Sequence, residues 1–138
     1  MAFAENNGVR IHYETEGSGP PLALLHGFAG SYETWREFGF VEPLASHFQL
    51  VLIDARGHGR SDKPREVSAY DLGLMASDVV AVLDDLGVDS AHFLGYSMGG
   101  RIGLQIAARG LLGRFRSLII GGASPYPPST PAALESSR

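Results

Sequence analysis

The sequence predicts an α/β fold in which helices cover both faces of a mostly parallel sheet. Continuous apolar runs, which are typical of strands buried on both faces, alternate along the chain with stretches of helical periodicity. Glycine clusters follow directly after these runs, which indicates tight turns at the ends of strands. Glycine accounts for 18 of the 138 residues, about twice its usual share of ~7%. Both observations favour short connections between buried strands and helices.

Composition narrows the class of protein before any motif is considered. Hydrophobic residues make up 44% of the chain and charged residues 19%, which is the balance of a folded domain. The net charge of −4 disfavours a nucleic-acid partner. The absence of cysteine excludes disulfides, thiolate metal sites and cysteine nucleophiles. No apolar run reaches the roughly 18 residues of a membrane span, and the N-terminus lacks the pattern of a signal peptide. We therefore expect a cytoplasmic protein without a membrane partner.

The first half of the chain predicts a hairpin followed by two buried strands. Apolar and polar residues alternate over residues 9–14, which indicates a half-exposed strand. Residues 3–5 are a short antiparallel partner, and Asn7-Gly8 forms the turn between the two strands. Three further segments are expected as strand, helix with breaks and strand: residues 22–25, 31–47 and 49–54.

The second half predicts two helices and two more strands. Ser68 is expected to cap a helix that runs from Leu72 to a stop at Gly87, with Asp71 as the acid of a capping box. Residues 123–138 are rich in Ser and Pro and are expected to be a tail or the start of a linker. The remaining elements are a strand, a helix and a strand: residues 91–96, 97–107 and 115–120.

One motif points to chemistry: Gly95-Tyr96-Ser97-Met98-Gly99 fits the pattern G-x-S-x-G. The pattern alone is weak evidence in a chain so rich in glycine. Its context strengthens it, because an apolar strand precedes the motif and a helix follows. A serine on such a turn projects its hydroxyl from the carboxyl edge of the sheet, above a helix N-terminus that favours negative charge.

Two further loops are expected at the same edge of the sheet: His26-Gly27-Phe28 and residues 54–62. With the serine motif, and in this order, these residues resemble the α/β-hydrolase superfamily. The resemblance implies that Ser97 is the nucleophile and that the backbone N–H groups of Phe28 and Met98 form an oxyanion hole. It implies hydrolysis of a small-molecule carboxylic ester, thioester or lactone without a cofactor. Because serine rather than aspartate occupies this turn, dehalogenase and epoxide-hydrolase chemistry is disfavoured.

The resemblance also implies a histidine and an acid after the serine, and the sequence does not supply them. None of the 41 residues after Ser97 is His or Asp, and Glu135 lies in the predicted tail. We therefore interpret residues 1–122 as the N-terminal part of an α/β-hydrolase core whose last strands and lid are absent. The strand at 115–120 is then an uncovered edge, and a complementing chain or a swapped homodimer is expected to supply the missing groups.

All five histidines precede the serine. His26 and His58 follow strands, which places them at the same edge as Ser97, and the resemblance gives them loop-shaping roles. His58 stays open as a substitute base, because triads are recognised by geometry rather than by chain order. The other three histidines are expected away from the site: His12, His47 and His92.

Two alternative functions stay open. The turn is also similar to that of a menaquinone-pathway succinyl-hydroxycyclohexadiene-carboxylate synthase, a carbon–oxygen lyase of the same fold, which implies that Tyr96 and Arg101 contact an acidic substrate. The missing groups favour a non-catalytic or structural module instead. The sequence contains no metal-ligand cluster and no phosphate loop. Three aromatic residues are expected mainly in the core, with a place at a pocket mouth as the alternative: Trp35, Phe38 and Phe40.

Overall fold

A computed structural model describes residues 2–123, and within them six strands form one sheet. The strand order is β1-β2-β4-β3-β5-β6. The strands are β1 (Ala2–Asn6), β2 (Val9–Glu16), β3 (Pro21–Leu25), β4 (Gln49–Ile53), β5 (Ala91–Tyr96) and β6 (Phe115–Gly121). The pairs β4/β3, β3/β5 and β5/β6 are parallel, whereas β1/β2 and β2/β4 are antiparallel. The predicted mostly parallel α/β fold is confirmed.

Within residues 2–123, four helices cover the two faces of this sheet. They are α1 (Thr34–Glu37), α2 (Val41–Ala45), α3 (Leu72–Leu86) and α4 (Met98–Ala108), with 3₁₀ turns at Val67–Tyr70 and Leu112–Arg114. Buried side chains of α3 and α4 pack on one face, and those of α1 and α2 pack on the other. In the described part of the chain, no helix is both long enough and apolar enough to cross a membrane.

The central strands are buried on both faces, as their continuous apolar sequences predict. Side chains alternate between the two faces of a strand. Leu24 of β3 and Leu52 of β4 pack with Trp35 on the α1–α2 face. Their neighbours Leu25 and Ile53 pack on the face covered by α3 and α4. A continuous apolar run is therefore what a strand between two helical layers requires.

The β1–β2 hairpin follows from its turn residues. Asn7 and Gly8 both have positive φ, at 49° and 86°, which is the conformation of a two-residue turn that matches the twist of the flanking strands. The turn sets the register in which Phe3 lies opposite His12. The predicted partner strand at residues 3–5 is confirmed and extends one residue further at each end.

The region predicted as one helix with breaks, residues 31–47, contains two short helices instead. Gly39 separates α1 from α2 with a φ of +81°, which is a left-handed conformation that ends a helix. Trp35 is 2% exposed and belongs to the core, as expected. Phe38 and Phe40 are 56% and 41% exposed, so the core prediction is wrong for these two side chains.

The predicted cap of α3 is displaced by three residues. Ser68 lies inside a 3₁₀ turn rather than at the N-cap. Asp71 has an extended ψ of 131°, and its carboxylate accepts the N–H groups of Gly73 and Leu74. Asp71 is therefore the N-cap, because its side chain reaches the backbone donors that the first helical turn leaves without partners.

Asp71→Ala tests this assignment. We expect it to lower the free energy of unfolding by about 1 kcal/mol, the usual cost of losing an N-cap. Asp71→Asn keeps a capping oxygen and is expected to cost only a few tenths of that. Ser68→Ala is expected to change stability by less than about 0.5 kcal/mol. Urea unfolding of the three variants measures the differences, and an equal loss for Ser68→Ala would contradict the assignment.

Candidate active site at the β5–α4 turn

Ser97 forms the whole connection between β5 and α4 and has an unusual backbone conformation. Its φ and ψ are 55° and −112°, a region that costs a non-glycine residue about 1–3 kcal/mol. Its N–H donates to the Gly121 carbonyl of β6 at 2.8 Å, and its carbonyl accepts the Arg101 N–H at 2.9 Å. The surrounding backbone therefore holds the serine in a conformation that it would not adopt alone.

Gly95 and Gly99, the two glycines of the motif, are required by close approach of the backbone. A Cβ on Gly95 would overlap the carbonyl of Gly99. A Cβ on Gly99 would overlap the carbonyl of Leu25 at the end of β3. Because neither position has room for a side chain, α4 begins directly against the carboxyl ends of β3 and β5.

The loop after β3 lies against the serine. A Cβ built on Gly27 would lie 3.2 Å from the Ser97 Cβ. Met98 is the first residue of α4, so its N–H has no partner within the helix. Among residues 2–123, neither the Phe28 N–H nor the Met98 N–H donates a hydrogen bond. Two backbone donors that are free of other bonds therefore belong to the two segments that meet at Ser97.

His58 holds the loop that follows β3. Its Nε2 accepts the Ala29 N–H at 3.0 Å, and its Nδ1–H donates to the Arg56 carbonyl at 3.1 Å. Ala29 has a φ of 66°, a conformation that needs such support. The Phe28 ring packs edge-on against the imidazole, with centroids 5.6 Å apart. The lone pair that a base would need is already used, which disfavours His58 as a substitute base.

His26 joins the ends of β3 and β4. The side chain is fully buried. Its Nδ1–H donates to the Gly27 carbonyl at 2.7 Å, and its Nε2 accepts the Ala55 N–H at 3.0 Å. Burial lowers the pKa of His26, because the imidazolium form would lose its hydration. His26 therefore acts as a neutral connector between the two loops, which leaves it no free lone pair.

The loop after β4 is fixed by buried ionic side chains. The Asp54 carboxylate accepts the N–H groups of Tyr32 and Arg60 at 2.6 and 3.0 Å, and it lies 2.7 Å from His12 Nδ1. Arg56 makes two 2.7 Å hydrogen bonds to Asp78 of α3. Sequence reasoning missed Asp78, although an acidic residue on the apolar face of a helix was the available signal.

The remaining residues predicted from the sequence differ in their position relative to Ser97. Tyr96 is 46% exposed, and its ring stands perpendicular to that of Phe38 with centroids 6.2 Å apart. Arg101 follows Ser97 by one helical turn and is partly exposed. His47 precedes β4 and His92 lies near the start of β5, at the edge opposite Ser97. Glu135 lies outside the described residues, as do nearly all of residues 123–138.

The Ser97 hydroxyl has no base beside it in the part of the chain that the structure describes. No side chain of residues 2–123 forms a hydrogen bond with it. Within the same range, no three His, Asp or Glu side chains are arranged to hold a metal ion. The site therefore consists of a partly exposed hydroxyl, two free backbone donors and the N-terminus of an 11-residue helix.

Comparison with known proteins identifies the family. Residues 20–137 match the model of the alpha/beta hydrolase fold. The chain belongs to the α/β-hydrolase fold family. A hydrolase from Pseudomonas aeruginosa PA01 superposes with a TM-score of 0.81 at 32% identity, over 99% of this chain and 50% of that chain.

Two curated relatives illustrate the range of the α/β-hydrolase family near this chain. N-formylmaleamate deformylase from Pseudomonas putida KT2440 is 35% identical over 96% of this chain and 51% of its own length. The soluble epoxide hydrolase of Corynebacterium sp. strain C12 is 40% identical over 73% of this chain and 34% of its own. The chain therefore spans a third to a half of the length of these relatives, which agrees with the predicted incomplete hydrolase core.

The buried His26 makes stability depend on pH. In the unfolded chain its pKa is near the ordinary value of 6.5, whereas burial lowers the pKa in the folded state. The unfolded state therefore binds the proton more readily, and stability present above pH 6.5 is lost as the pH falls below it. One such group gives a slope of at most about 1.4 kcal/mol per pH unit.

We expect His26→Gln to flatten this dependence. Urea unfolding of both proteins at pH 5.5, 6.5 and 8 separates the two effects of the substitution. A difference in the free energy of unfolding that stays constant with pH reports the lost packing and hydrogen bonds. A difference that shrinks toward low pH reports the titration of His26. If the two curves stay parallel from pH 8 to 5.5, then His26 is not the group that titrates.

Proposed function

We propose that this chain carries the nucleophile and the oxyanion hole of a serine hydrolase that acts on carboxylic esters, thioesters or lactones. The observation that carries the proposal is the strained backbone of Ser97, together with the N–H groups of Phe28 and Met98, which donate no hydrogen bond within residues 2–123. Such strain persists only where the surrounding structure imposes it, and it is frequent at functional sites.

The proposed reaction follows from these groups. The Ser97 hydroxyl oxygen attacks the substrate carbonyl carbon while its proton passes to a base. The carbonyl oxygen becomes an anion, which the N–H groups of Phe28 and Met98 bind and the helix N-terminus stabilises. Collapse expels the leaving group, which takes the proton from the base. Water then attacks the acyl-enzyme by the same route, and the carboxylic acid and the free serine are released.

The base and its orienting acid are proposed to come from outside these 138 residues, either from a continuation of the polypeptide or from a second chain. The hydrogen bonds that already use the Nε2 lone pairs of His26 and His58 disfavour either histidine as the base. The P. aeruginosa hydrolase is about twice as long as this chain, so proteins of this architecture carry further structure. We propose that this further structure joins the sheet at β6.

The β6 edge has the surface that such a partner would cover. Within residues 2–123, β6 pairs with β5 alone. Ile120 approaches Gly100 and Gly103 and so faces α4. Its neighbour Ile119 therefore points to the other face, where it is 56% exposed. An unpaired strand with an uncovered apolar side chain is a template for an additional strand.

The names of two relatives support reaction at a carbonyl carbon. The N-formylmaleamate deformylase and a protein described as an N-acyl homoserine lactone degrading enzyme align over 96% and 97% of this chain. Epoxide hydrolases are also among the relatives. Serine rather than aspartate at position 97 favours the carbonyl reaction for this chain.

Phosphonylation with chemical rescue tests the nucleophile. Because residues 2–123 place no free base beside Ser97, a fluorophosphonate is expected to react slowly alone and faster with added imidazole, which supplies a proton acceptor. Peptide mass spectrometry is expected to place the adduct on Ser97. Ser97→Ala should abolish the labelling, whereas Ser18→Ala, at an exposed loop position, should not. The proposal would be refuted if no labelling occurred at any imidazole concentration, or if the Ser97→Ala variant were labelled as strongly as the unsubstituted chain.

Light scattering after size exclusion tests the partner. We expect a complex larger than one copy of the chain, either with a complementing polypeptide or as a swapped dimer. Ile119→Lys is expected to dissociate the complex, because it would place a charge in the buried interface at β6. Val67→Lys changes an 89% exposed residue in the 3₁₀ turn before α3 and should leave the complex intact. A stable lone monomer of the unsubstituted chain would count against the partner.

A further inference from the structure

We propose that His58 is a positioning residue that holds the Phe28 N–H in place for the oxyanion hole. The proposal rests on the function proposed for Ser97, and it assigns a role to a side chain that acts through the backbone of another loop. Its basis is the turn that follows β3, in which Phe28 and Ala29 are the two central residues.

The turn after β3 is of type II. The Gly30 N–H donates to the Gly27 carbonyl at 3.0 Å, which closes a turn of four residues. Phe28 has a negative φ, and Ala29 has a φ of 66°. A negative φ followed by a positive one defines a type II turn, which favours glycine at the second central position. Ala29 therefore occupies a position at which its Cβ is strained.

His58 accepts a hydrogen bond that depends on this type of turn. The Ala29 N–H donates to His58 Nε2 at 3.0 Å. The peptide that joins the two central residues differs by a rotation of about 180° between types I and II. A type I turn would relieve the strain at Ala29, but it would turn the Ala29 N–H away from the imidazole. The hydrogen bond to His58 therefore favours the strained turn over the relaxed one.

The imidazole of His58 is itself held in one orientation. A backbone N–H can only donate, so Nε2 must accept and the proton of the neutral ring lies on Nδ1. Nδ1–H donates to the Arg56 carbonyl at 3.1 Å. The Phe28 ring packs edge-on against the imidazole, with centroids 5.6 Å apart. His58 thus contacts both central residues of the turn, one through its backbone and the other through its ring.

The Phe28 N–H depends on this turn for its direction. Within residues 2–123 it makes no hydrogen bond that could hold it. Phe28, His58 and Met98 line one cavity, so the turn and the start of α4 face the same space. A catalytic group misplaced by about 1 Å can slow a reaction ~100-fold. A turn released from the type II conformation is therefore expected to slow reaction at Ser97 without any change to the serine.

Three substitutions of His58 separate its acceptor nitrogen from its ring. The measurement is the second-order rate constant of fluorophosphonate labelling at a fixed imidazole concentration. His58→Phe keeps a ring but lacks the acceptor, and we expect labelling to slow about tenfold, the factor that corresponds to loss of one hydrogen bond. His58→Gln places an amide oxygen where Nε2 lies and should slow labelling less than about threefold. The amide of His58→Asn reaches only the Nδ1 position, so this variant should be as slow as His58→Phe.

A substitution in the turn tests the route from His58 to the serine. Ala29→Gly removes the strain that the hydrogen bond offsets, because glycine adopts a positive φ without steric cost. In this background, His58→Phe is expected to slow labelling less than about threefold, which is a coupling between the two positions. Equal losses with and without Ala29→Gly would contradict the turn as the route.

The protonated nitrogen of His58 gives a test that needs no folded variant. Long-range ¹H–¹⁵N NMR spectra of the unsubstituted chain show which ring nitrogen carries the proton, and comparison with His58→Gln assigns the signals. We expect the proton on Nδ1, and a proton on Nε2 would overturn the proposal. If the unsubstituted chain is not labelled at all, the proposed nucleophile fails and this proposal fails with it. If His58→Phe is labelled as fast as the unsubstituted chain, only the positioning role fails.

Discussion

The reversal of the chain at Ser97 is the constraint on which the rest of the site depends. A strand must end and a helix must begin within one residue, which a positive φ makes possible. The hydrogen bond from the Ser97 N–H to Gly121 fixes the strand side, and the bond from Arg101 fixes the helix side. Gly95 and Gly99 allow the backbones to approach closely enough for both bonds. The start of α4 is thereby held next to the loop after β3.

The loops around this turn are held by side chains that form hydrogen bonds with other groups of the protein. His26 connects the ends of β3 and β4, and His58 supports Ala29 in a left-handed conformation. Asp54 accepts two backbone N–H groups. Because an unpaired polar group in a buried site is costly, these contacts stabilise one loop arrangement strongly. The same contacts engage both ring nitrogens of His26 and of His58.

The fold could be predicted from the sequence because its signals are local and agree with one another. Continuous apolar runs identified the buried strands, and the Asn7-Gly8 turn identified the hairpin. The cap of α3 could not be chosen correctly from the sequence, since Ser68 and Asp71 are both good capping residues and only the 3₁₀ turn that contains Ser68 decides between them. The exposure of Phe38 and Phe40 could not be predicted from the sequence either, because it depends on where Gly39 interrupts the helix.

The site could be predicted only in part for a related reason. The G-x-S-x-G motif is contiguous, so the sequence alone predicts its turn. The cavity beside it combines residues from the loops after β3 and β4 and from the starts of α3 and α4, which no sequence pattern links. The Arg56–Asp78 pair likewise joins a loop to a helix 22 residues away.

A crystal structure of the Ser97 phosphonate adduct would test whether the N–H groups of Phe28 and Met98 form the oxyanion hole for Ser97. We expect the phosphoryl oxygen to lie about 2.7–3.1 Å from the nitrogens of Phe28 and Met98. An adduct whose oxygen points away from both nitrogens would contradict it.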